Sequence, residues 1–330
     1  MIKILVAFLT SFVLGLLLMP ILINLLSKKK SRQTILGYVE NHKDKNGTLT
    51  MGGIVFIICL LLVPIVLLDF DYMWLMVVLV SVAFGILGYM DDHLKIKYSQ
   101  NLGLRPYQKI IGQLGISIIF ALFVYFTQGG KIFLLFTENY IDIGFWIIPF
   151  IILVMIAVTN SVNLTDGLDG LAGNVSMFYL IFFTVILSIL GTSLYSLGET
   201  GQVLTNINNM QVLSMVVVGS VLAFLQFNTN KAKIFMGDVG SLCLGGFIGA
   251  SAVAVGQELI ILILGFCFVF SALSVILQVA VFKLKKKRIF KMAPFHHHLQ
   301  MSGLSEAKIV MIYSTITAIL GVLCIIFYLI

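Results

Sequence analysis

Ten long stretches of this chain contain no charged side chain, and each is long enough to cross a bilayer as a helix. A bilayer-spanning helix needs about 20 mostly apolar residues. The sequence therefore predicts an all-α, polytopic integral membrane protein with about ten transmembrane helices. The runs are 4–27, 46–68, 72–90, 110–130, 143–165, 170–198, 200–230, 239–257, 259–282 and 309–330.

Composition supports the same fold class. Of the 330 residues, 60% are hydrophobic and 11% are charged, and a soluble domain could not bury so much apolar surface. The four cysteines lie within apolar runs without a pairing pattern, so we expect neither a disulfide framework nor a zinc site. The first run is followed by Lys28-Lys29-Lys30 and shows no small-residue cleavage site, which favours a retained helix over a signal peptide.

The distribution of lysine and arginine predicts the orientation in the membrane. Of these 21 residues, 18 fall in the connections after the odd-numbered runs, and Lys308, at the start of the tenth run, lies on the same side. Only Lys3 and Lys131 fall on the other side. By the positive-inside rule, the odd-numbered connections are cytoplasmic and both termini face outward. The net charge of +7 fits contacts with anionic headgroups or phosphates, and we expect no nucleic acid partner.

Four polar clusters end or follow apolar runs, and this topology places all four on the cytoplasmic face. They lie at 91–92, 160–170, 231–241 and 294–298. A charged side chain inside a bilayer is costly, so such residues are retained mainly where they have a function. We therefore expect an active or binding site on the cytoplasmic face.

The adjacent carboxylates Asp91 and Asp92 close the third apolar run. Neighbouring positions on a helix point about 100° apart, so the two cannot both face lipid, and together they attract a divalent cation or a proton. The alternative is a hydrated helix end in a loop that also holds Lys95 and Lys97.

The second cluster, 160–170, contains two Asp-Gly steps, Asp166-Gly167 and Asp169-Gly170. Such steps favour tight turns, and the amides and carboxylates offer donors and acceptors for a sugar or a base edge. An ordinary interhelical turn is the alternative. Because this loop contains no basic residue, we expect its acids to meet a ligand or a partner from another loop.

The third and fourth clusters combine groups that bind anions. Phe235 can stack on a base, and the glycines around Asp238 let a phosphate or a metal approach a helix N-terminus. The imidazoles of His296-His297-His298 can donate to phosphates. The alternatives are that Asp238 only caps the following helix and that the histidines are incidental to a basic loop.

Together the four clusters provide what phosphoryl transfer from a nucleotide sugar requires: acids for a divalent cation, cations for phosphates and an aromatic ring for a base. A site at the membrane surface implies a lipid acceptor. The alternative class is a transporter or channel, which predicts charged residues near helix midpoints. The ten apolar runs contain none.

Three motifs resemble those of the polyprenyl-phosphate N-acetylhexosamine-1-phosphate transferase superfamily, and within it the branch that transfers phospho-N-acetylmuramoyl-pentapeptide. Thr48-Leu49-Thr50-Met51-Gly52-Gly53 is similar to Thr-Pro-Thr-Met-Gly-Gly, with Leu49 in place of the usual proline. Met292-Ala293-Pro294-Phe295-His296-His297-His298 is the most specific match, and 163–170 reads Asn-Leu-Thr-Asp-Gly-Leu-Asp-Gly. The resemblance extends over the whole chain and implies a single transmembrane catalytic domain, 1–330.

The resemblance also implies roles for individual residues. Asp238 would be the main Mg²⁺ ligand, and Asp91, Asp92 and His296 would be the other catalytic residues. Lys95 and Lys109 would hold the diphosphate. The uridine pocket would consist of Lys45, Asn163, Asp166, Gly167, Leu168, Asp169 and Phe235, with His297 nearby.

The reaction implied by the resemblance moves phospho-N-acetylmuramoyl-pentapeptide from its uridine diphosphate carrier to undecaprenyl phosphate. The products are uridine monophosphate and lipid I, a peptidoglycan precursor made at the bacterial plasma membrane, and the enzyme would be a homodimer. Direct attack by the acceptor phosphate is favoured over a phospho-enzyme on Asp238, with Asp91 orienting the acceptor more than deprotonating it. The alternative substrate is uridine diphosphate N-acetylglucosamine.

Overall fold

The computed structural model describes residues 2–28, 47–98, 103–135, 139–198, 201–229 and 231–330. This part of the chain is built almost entirely of helices, with one small antiparallel hairpin of β1 (Lys131–Phe133) and β2 (Tyr140–Asp142). The helices are α1 (Ile2–Lys28), α2 (Ile54–Leu67), α3 (Tyr72–Lys97), α4 (Pro106–Gln128), α5 (Ile147–Thr165), α6 (Leu171–Ser196), α7 (Gln202–Asn228), α8 (Gly237–Ala254), α9 (Ile261–Leu264), α10 (Phe266–Lys285), α11 (Phe295–Gln300) and α12 (Glu306–Leu329).

The prediction of an all-α, polytopic membrane protein is confirmed. Among the described residues, nine helices are long and apolar enough to cross a membrane. Each of the ten apolar runs contains a helix, but the second run yields only the 14-residue α2. Its first residues are not helical because Leu49 forms a parallel bridge with Ile234 and Met51 adopts a left-handed backbone, with φ of 74°.

The ninth run is interrupted. It begins with a 3-10 turn at Glu258–Ile260, continues as the four-residue α9 and restarts after Gly265 as α10. Glycine is a poor helix former because it loses the most backbone freedom on folding. The run is therefore two helical pieces rather than the single helix that the sequence predicts.

Close packing of α3 against α8 depends on small residues. Every residue of α8 from Val239 to Ala254 is buried, and a Cβ atom added to Gly88 of α3 would overlap the backbone carbonyl of Asp238. Small residues let helix backbones approach closely, which is how helices associate in membranes. The contact brings the last turns of α3 beside the first turn of α8.

The two ends of the bundle differ in chemistry. One end gathers the C-terminal turns of α3 and α5, the N-termini of α4 and α8, and α11. At the other ends of α4 and α8 lies the hairpin, whose Phe133 ring packs over Gly256. The hairpin could not be predicted from the sequence, because its strands have only three residues each.

Candidate active site

Three carboxylates converge where α3 meets α8. One oxygen from each of Asp91, Asp92 and Asp238 lies within 4.8 Å of the others. The Lys95 ammonium contacts all three, at 2.5 Å from Asp91 Oδ2, 3.7 Å from Asp92 Oδ1 and 3.2 Å from Asp238 Oδ2. Lys109, at the start of α4, lies 2.6 Å from Asp238 Oδ2. Carboxylates and ammonium groups predicted from separate loops thus form one cluster.

Asp92 caps α8 from a different helix. Its Oδ2 atom accepts a hydrogen bond from the backbone N–H of Val239 at 3.2 Å, and the side chain is buried. Asp238 makes no such cap; Asn163 Nδ2 donates to its Oδ1 at 3.0 Å, while Lys109 engages Oδ2. The carboxylate at the head of α8 therefore points into the cluster, and the simpler alternative of Asp238 as a cap does not apply.

Asp91 is enclosed by the chain before α4. The backbone N–H of Leu104 donates to Asp91 Oδ1 at 2.8 Å. A Cβ atom on Gly103 would lie 2.6 Å from the same oxygen. With Lys95 on the other oxygen, both Asp91 oxygens have partners and the carboxylate is held in one orientation.

The loop that follows α5 reaches the same centre. Besides contacting Asp238, Asn163 Nδ2 donates to Ser241 Oγ at 2.8 Å. Burial, and then the nearby Asp238 carboxylate, raise the pKa of Asp166 well above its usual value. Asp169 Oδ2 accepts from the backbone N–H of Ala232 at 3.1 Å. Asp169 thus bonds to a residue of another loop, as expected for an acid in a loop that contains no basic residue.

His296 and His297 lie against this loop. A Cβ atom on Gly167 would overlap His296 Nε2 and would lie 3.0 Å from His297 Nε2, so only glycine leaves room for both rings. His296 is fully buried, and neither of its ring nitrogens has a hydrogen-bond partner among the described residues. Burial lowers its pKa to about 3, so the ring is neutral at physiological pH.

The third histidine has a different environment. His298 Nδ1 accepts from the backbone N–H of Lys291 at 3.1 Å, and its ring packs against Phe290 and Phe295. It therefore supports the connection between α10 and α11. The roles implied by the resemblance, His296 near the phosphates and His297 near the uridine pocket, do not include His298.

The remaining predicted residues lie on neighbouring segments. Leu168 is buried and Phe235 is half-buried. The Phe235 carbonyl accepts a hydrogen bond from the Gly52 N–H at 2.9 Å, and the Phe235 N–H donates to the Leu49 carbonyl at 2.8 Å. Lys45 lies outside the described residues.

Two residues that hold the site together were not predicted from the sequence. Asn228, at the end of α7, accepts from Gly170 N–H at 2.8 Å and donates to the Ile234 carbonyl at 2.8 Å. Glu306 accepts from the backbone N–H of Asp169 at 3.4 Å and from Gln300 Nε2 at 3.3 Å. The position of Asn228, an amide near the end of an apolar run, could have indicated a role at the site. Glu306 could not be distinguished from other acidic residues, which are common in the first turn of a helix.

The cluster suits a hard divalent cation. Mg²⁺ prefers carboxylate oxygens and usually coordinates one or two carboxylates together with substrate phosphates. Asp238 Oδ2 lies within 3.2 Å of both lysine ammonium groups, at the start of α8. Three carboxylates against two ammonium groups leave an excess of negative charge for a cation.

Comparisons with known proteins agree with this chemistry. Residues 74–256 match the family described as glycosyl transferase family 4. A phospho-N-acetylmuramoyl-pentapeptide-transferase of Clostridium novyi is 44% identical, covering 96% of this chain and 93% of the relative. Enzymes of the same name from Acetivibrio thermocellus and Clostridioides difficile are 39% and 38% identical, covering 96% of this chain and 92% and 94% of the relatives.

Proposed function

Since the chain belongs to glycosyl transferase family 4, and within it to the phospho-N-acetylmuramoyl-pentapeptide-transferases, we propose that its site transfers phospho-N-acetylmuramoyl-pentapeptide from a uridine diphosphate carrier to undecaprenyl phosphate. The products are lipid I and uridine monophosphate. The enzyme is a multi-pass protein of the bacterial plasma membrane. The observation that supports this function best is the convergence of Asp91, Asp92 and Asp238 with Lys95 and Lys109 at one end of the bundle.

The reaction is a direct displacement at phosphorus. An oxygen of the acceptor phosphate forms a bond to the sugar-linked phosphorus, and the bond from that phosphorus to the bridging oxygen breaks, so uridine monophosphate leaves with the electron pair. A phosphate monoester is mostly dianionic at neutral pH because its second pKa is about 6. No strong base is therefore needed to generate the nucleophile.

The lysines and the acids have different electrostatic roles in this reaction. Lys95 and Lys109 neutralise negative charge on the diphosphate, which otherwise repels the incoming phosphate. Mg²⁺ bound by Asp238, with Asp91 and Asp92 beside it, would supply further neutralisation of the diphosphate oxygens. The bonds of Asp91 to Lys95 and Leu104 favour an orienting role over proton abstraction.

Direct attack is also favoured by the surroundings of Asp238. A phospho-enzyme would require one of its oxygens to act as a nucleophile. Lys109 and Asn163 already engage one oxygen each, which lowers nucleophilicity. Formation of a labelled covalent phospho-enzyme without a lipid acceptor would contradict this mechanism.

The uridine subsite is the surface between the loop after α5 and the segment before α8. Asn163, Asp166, Gly167 and Asp169 supply polar groups, and the half-buried Phe235 supplies a face for stacking, worth about 1–3 kcal/mol per base. Leu168, His297 and Lys45 are the remaining residues of the proposed uridine subsite. The Asn228 side chain supports it by joining the two segments.

A radiolabel-transfer assay tests this function. Purified enzyme receives undecaprenyl phosphate, Mg²⁺ and either uridine diphosphate N-acetylmuramoyl-pentapeptide or uridine diphosphate N-acetylglucosamine. We expect label to move to lipid from the first sugar only, to stop on chelation and to resume when Mg²⁺ is restored. Transfer from the second sugar alone would establish the alternative substrate, and transfer from neither would contradict the proposal.

We expect Asp238→Asn to lower the transfer rate by about 100-fold to 1000-fold, a loss typical of removing one electrostatic contribution to a transition state. The matched control is Asp69→Asn, because Asp69 is a fully exposed carboxylate near Lys3. The control should retain full activity. Unchanged transfer by Asp238→Asn would exclude this aspartate from the reaction centre.

A further inference from the structure

A cavity lies at the end of the bundle opposite the carboxylate cluster. It has a volume of about 380 Å³, within the range of small-molecule pockets. Helix α4 contributes Lys109 to the cluster and Gln128 to the cavity, and α8 contributes Asp238 to one and Ala254 to the other. Since α8 has 18 residues, the two sites are about 25 Å apart.

The cavity has an apolar wall and a polar edge. Val124, Ile151 and Leu190 are among the apolar residues that line it. The amides at its edge already have partners: Gln128 Nε2 donates to the Ala254 carbonyl at 2.8 Å. Likewise, Gln202 donates to Asn206 Oδ1 at 2.9 Å and to Asp71. These bonds fix the shape of the cavity and leave a different group for a ligand.

That group is the carboxyl of Glu258, which lines the cavity and is only 4% exposed. In the part of the chain that the structure describes, the only group bonded to it is its own backbone N–H, and no cation pairs with it. Burial raises its pKa to about 7. A buried carboxyl without a cationic partner is costly and is retained mainly where it has a function.

We propose that this cavity binds a molecule that joins a primary ammonium group to an apolar body. The ammonium group pairs with Glu258, and the apolar body covers the wall around Leu190. The proposed transfer reaction does not use this end of the molecule, so the inference is independent of it.

The chemistry admits two sources, a free apolar amine or the headgroup of an amine-bearing phospholipid. Lys131 at the edge of the cavity, with its ammonium 4.3 Å from the Tyr140 ring, provides a cation for a lipid phosphate.

Binding of hexylamine to the purified protein in detergent, measured by saturation-transfer NMR against hexanol, tests this proposal. The two probes share an apolar chain and differ in the charged group. A hydrogen bond to a charged group is stronger than one between neutral groups, so we expect hexylamine to bind at least about tenfold more tightly than hexanol. Equal binding of the two would overturn the proposal.

Two variants locate the site. Glu258→Gln keeps the shape of the side chain and should remove the preference for hexylamine, whereas Asp69→Asn, which changes an exposed carboxylate, should keep it. Leu190→Trp fills the apolar wall and should weaken both probes, which tests the location even if Glu258→Gln fails to fold. Retained hexylamine preference in Glu258→Gln, or unchanged binding in Leu190→Trp, would overturn the proposal.

The source is identified by repeating the titration in nanodiscs. Phosphatidylethanolamine should compete with hexylamine if the lipid headgroup is the occupant, whereas phosphatidylcholine, whose methylated amine cannot donate a hydrogen bond, serves as the matched lipid. Equal binding in the two bilayers identifies a free amine as the source. The transfer activity of Glu258→Gln, assayed in parallel, separates failure of this proposal from failure of the proposed function.

Discussion

Lys95 illustrates how one cation can organise several acids. Its ammonium group lies within 4 Å of Asp91, Asp92 and Asp238, two of which come from its own helix at i−4 and i−3 spacing. Such spacing brings helix side chains together, so the sequence already implies that Lys95 can reach Asp91 and Asp92. The third partner comes from α8 and depends on packing.

Asp92 should stabilise α8 through its Oδ2 atom, because the backbone N–H of Val239 donates to that oxygen. Replacing a capping side chain by alanine costs about 0.5–2 kcal/mol. We therefore expect Asp92→Ala to lower the free energy of unfolding by about that amount and Asp92→Asn, which keeps an acceptor, to lower it less. Thermal denaturation in detergent measures both.

Transfer activity separates the two roles of Asp92. If its negative charge serves the reaction centre, Asp92→Asn should be well folded and much less active. A fully active Asp92→Asn variant would restrict this residue to the cap. Equal destabilisation by asparagine and alanine would contradict the cap itself.

His296 should stay neutral in the free protein. Its pKa is about 3 because of burial, below the ordinary value of about 6.5, so its contribution to stability is complete above pH 6.5 and is lost as the pH falls toward 3. Nitrogen-15 NMR of labelled histidines should show an unprotonated ring from pH 5 to pH 8. His296→Gln assigns the signals, and a ring that protonates near pH 6 would contradict the burial argument.

The residue types of the site could be predicted from the sequence because their chemistry is distinctive in an apolar chain. Carboxylates, histidines and Asp-Gly turns stand out there. Glu306 and the capping role of Asp92 could not be predicted, since each depends on which backbone N–H groups lie opposite after folding. The partners of Glu306 lie in the second polar loop and in α11.

At the scale of elements, the contact between α3 and α8 determines the geometry of the carboxylate cluster. Asp91 and Asp92 belong to one helix and Asp238 to the other, so any separation of the helices separates the acids. Gly88 lies at this contact, whereas Gly115 in the middle of α4 has no neighbouring atom within 4 Å of an added Cβ.

We expect Gly88→Ala to abolish transfer and to lower stability, because its methyl group would overlap the Asp238 carbonyl. Gly115→Ala is the matched control and should keep activity, with a gain of about 0.5–1 kcal/mol from the helix preference of alanine. Transfer rates and melting temperatures of the two variants test this. An active Gly88→Ala variant would show that the helices tolerate greater separation.

The helices themselves could largely be predicted from apolar run length, since backbone groups in a bilayer must be satisfied within each segment. The exceptions are instructive. The second run contains Leu49, whose carbonyl is bonded to Phe235, and this pairing outweighs a helical continuation. The ninth run breaks at Gly265. Neither a pairing between residues 49 and 235 nor a break of this kind can be inferred from hydropathy alone.

At the scale of the whole molecule, the sidedness predicted by the basic residues can be tested by cysteine labelling. All four natural cysteines are buried, so a membrane-impermeant maleimide should label only introduced ones. Lys287→Cys, in the exposed basic stretch after α10, should react only from the cytoplasmic side. Asp69→Cys, in the connection after α2, should react only from outside. Labelling of both from one side would contradict the predicted topology.

The shortness of α2 has a consequence for how substrates meet. A 14-residue helix is about 21 Å long, whereas the hydrocarbon layer is about 30 Å thick. Helix α2 is therefore too short to cross that layer by itself, and the non-helical segment before it lies beside Asp92, because a Cβ atom on Gly237 would contact both Thr50 Oγ1 and Asp92 Oδ2. We therefore expect the reaction centre to be accessible to the phosphate of a polyprenyl chain that stays in its own leaflet.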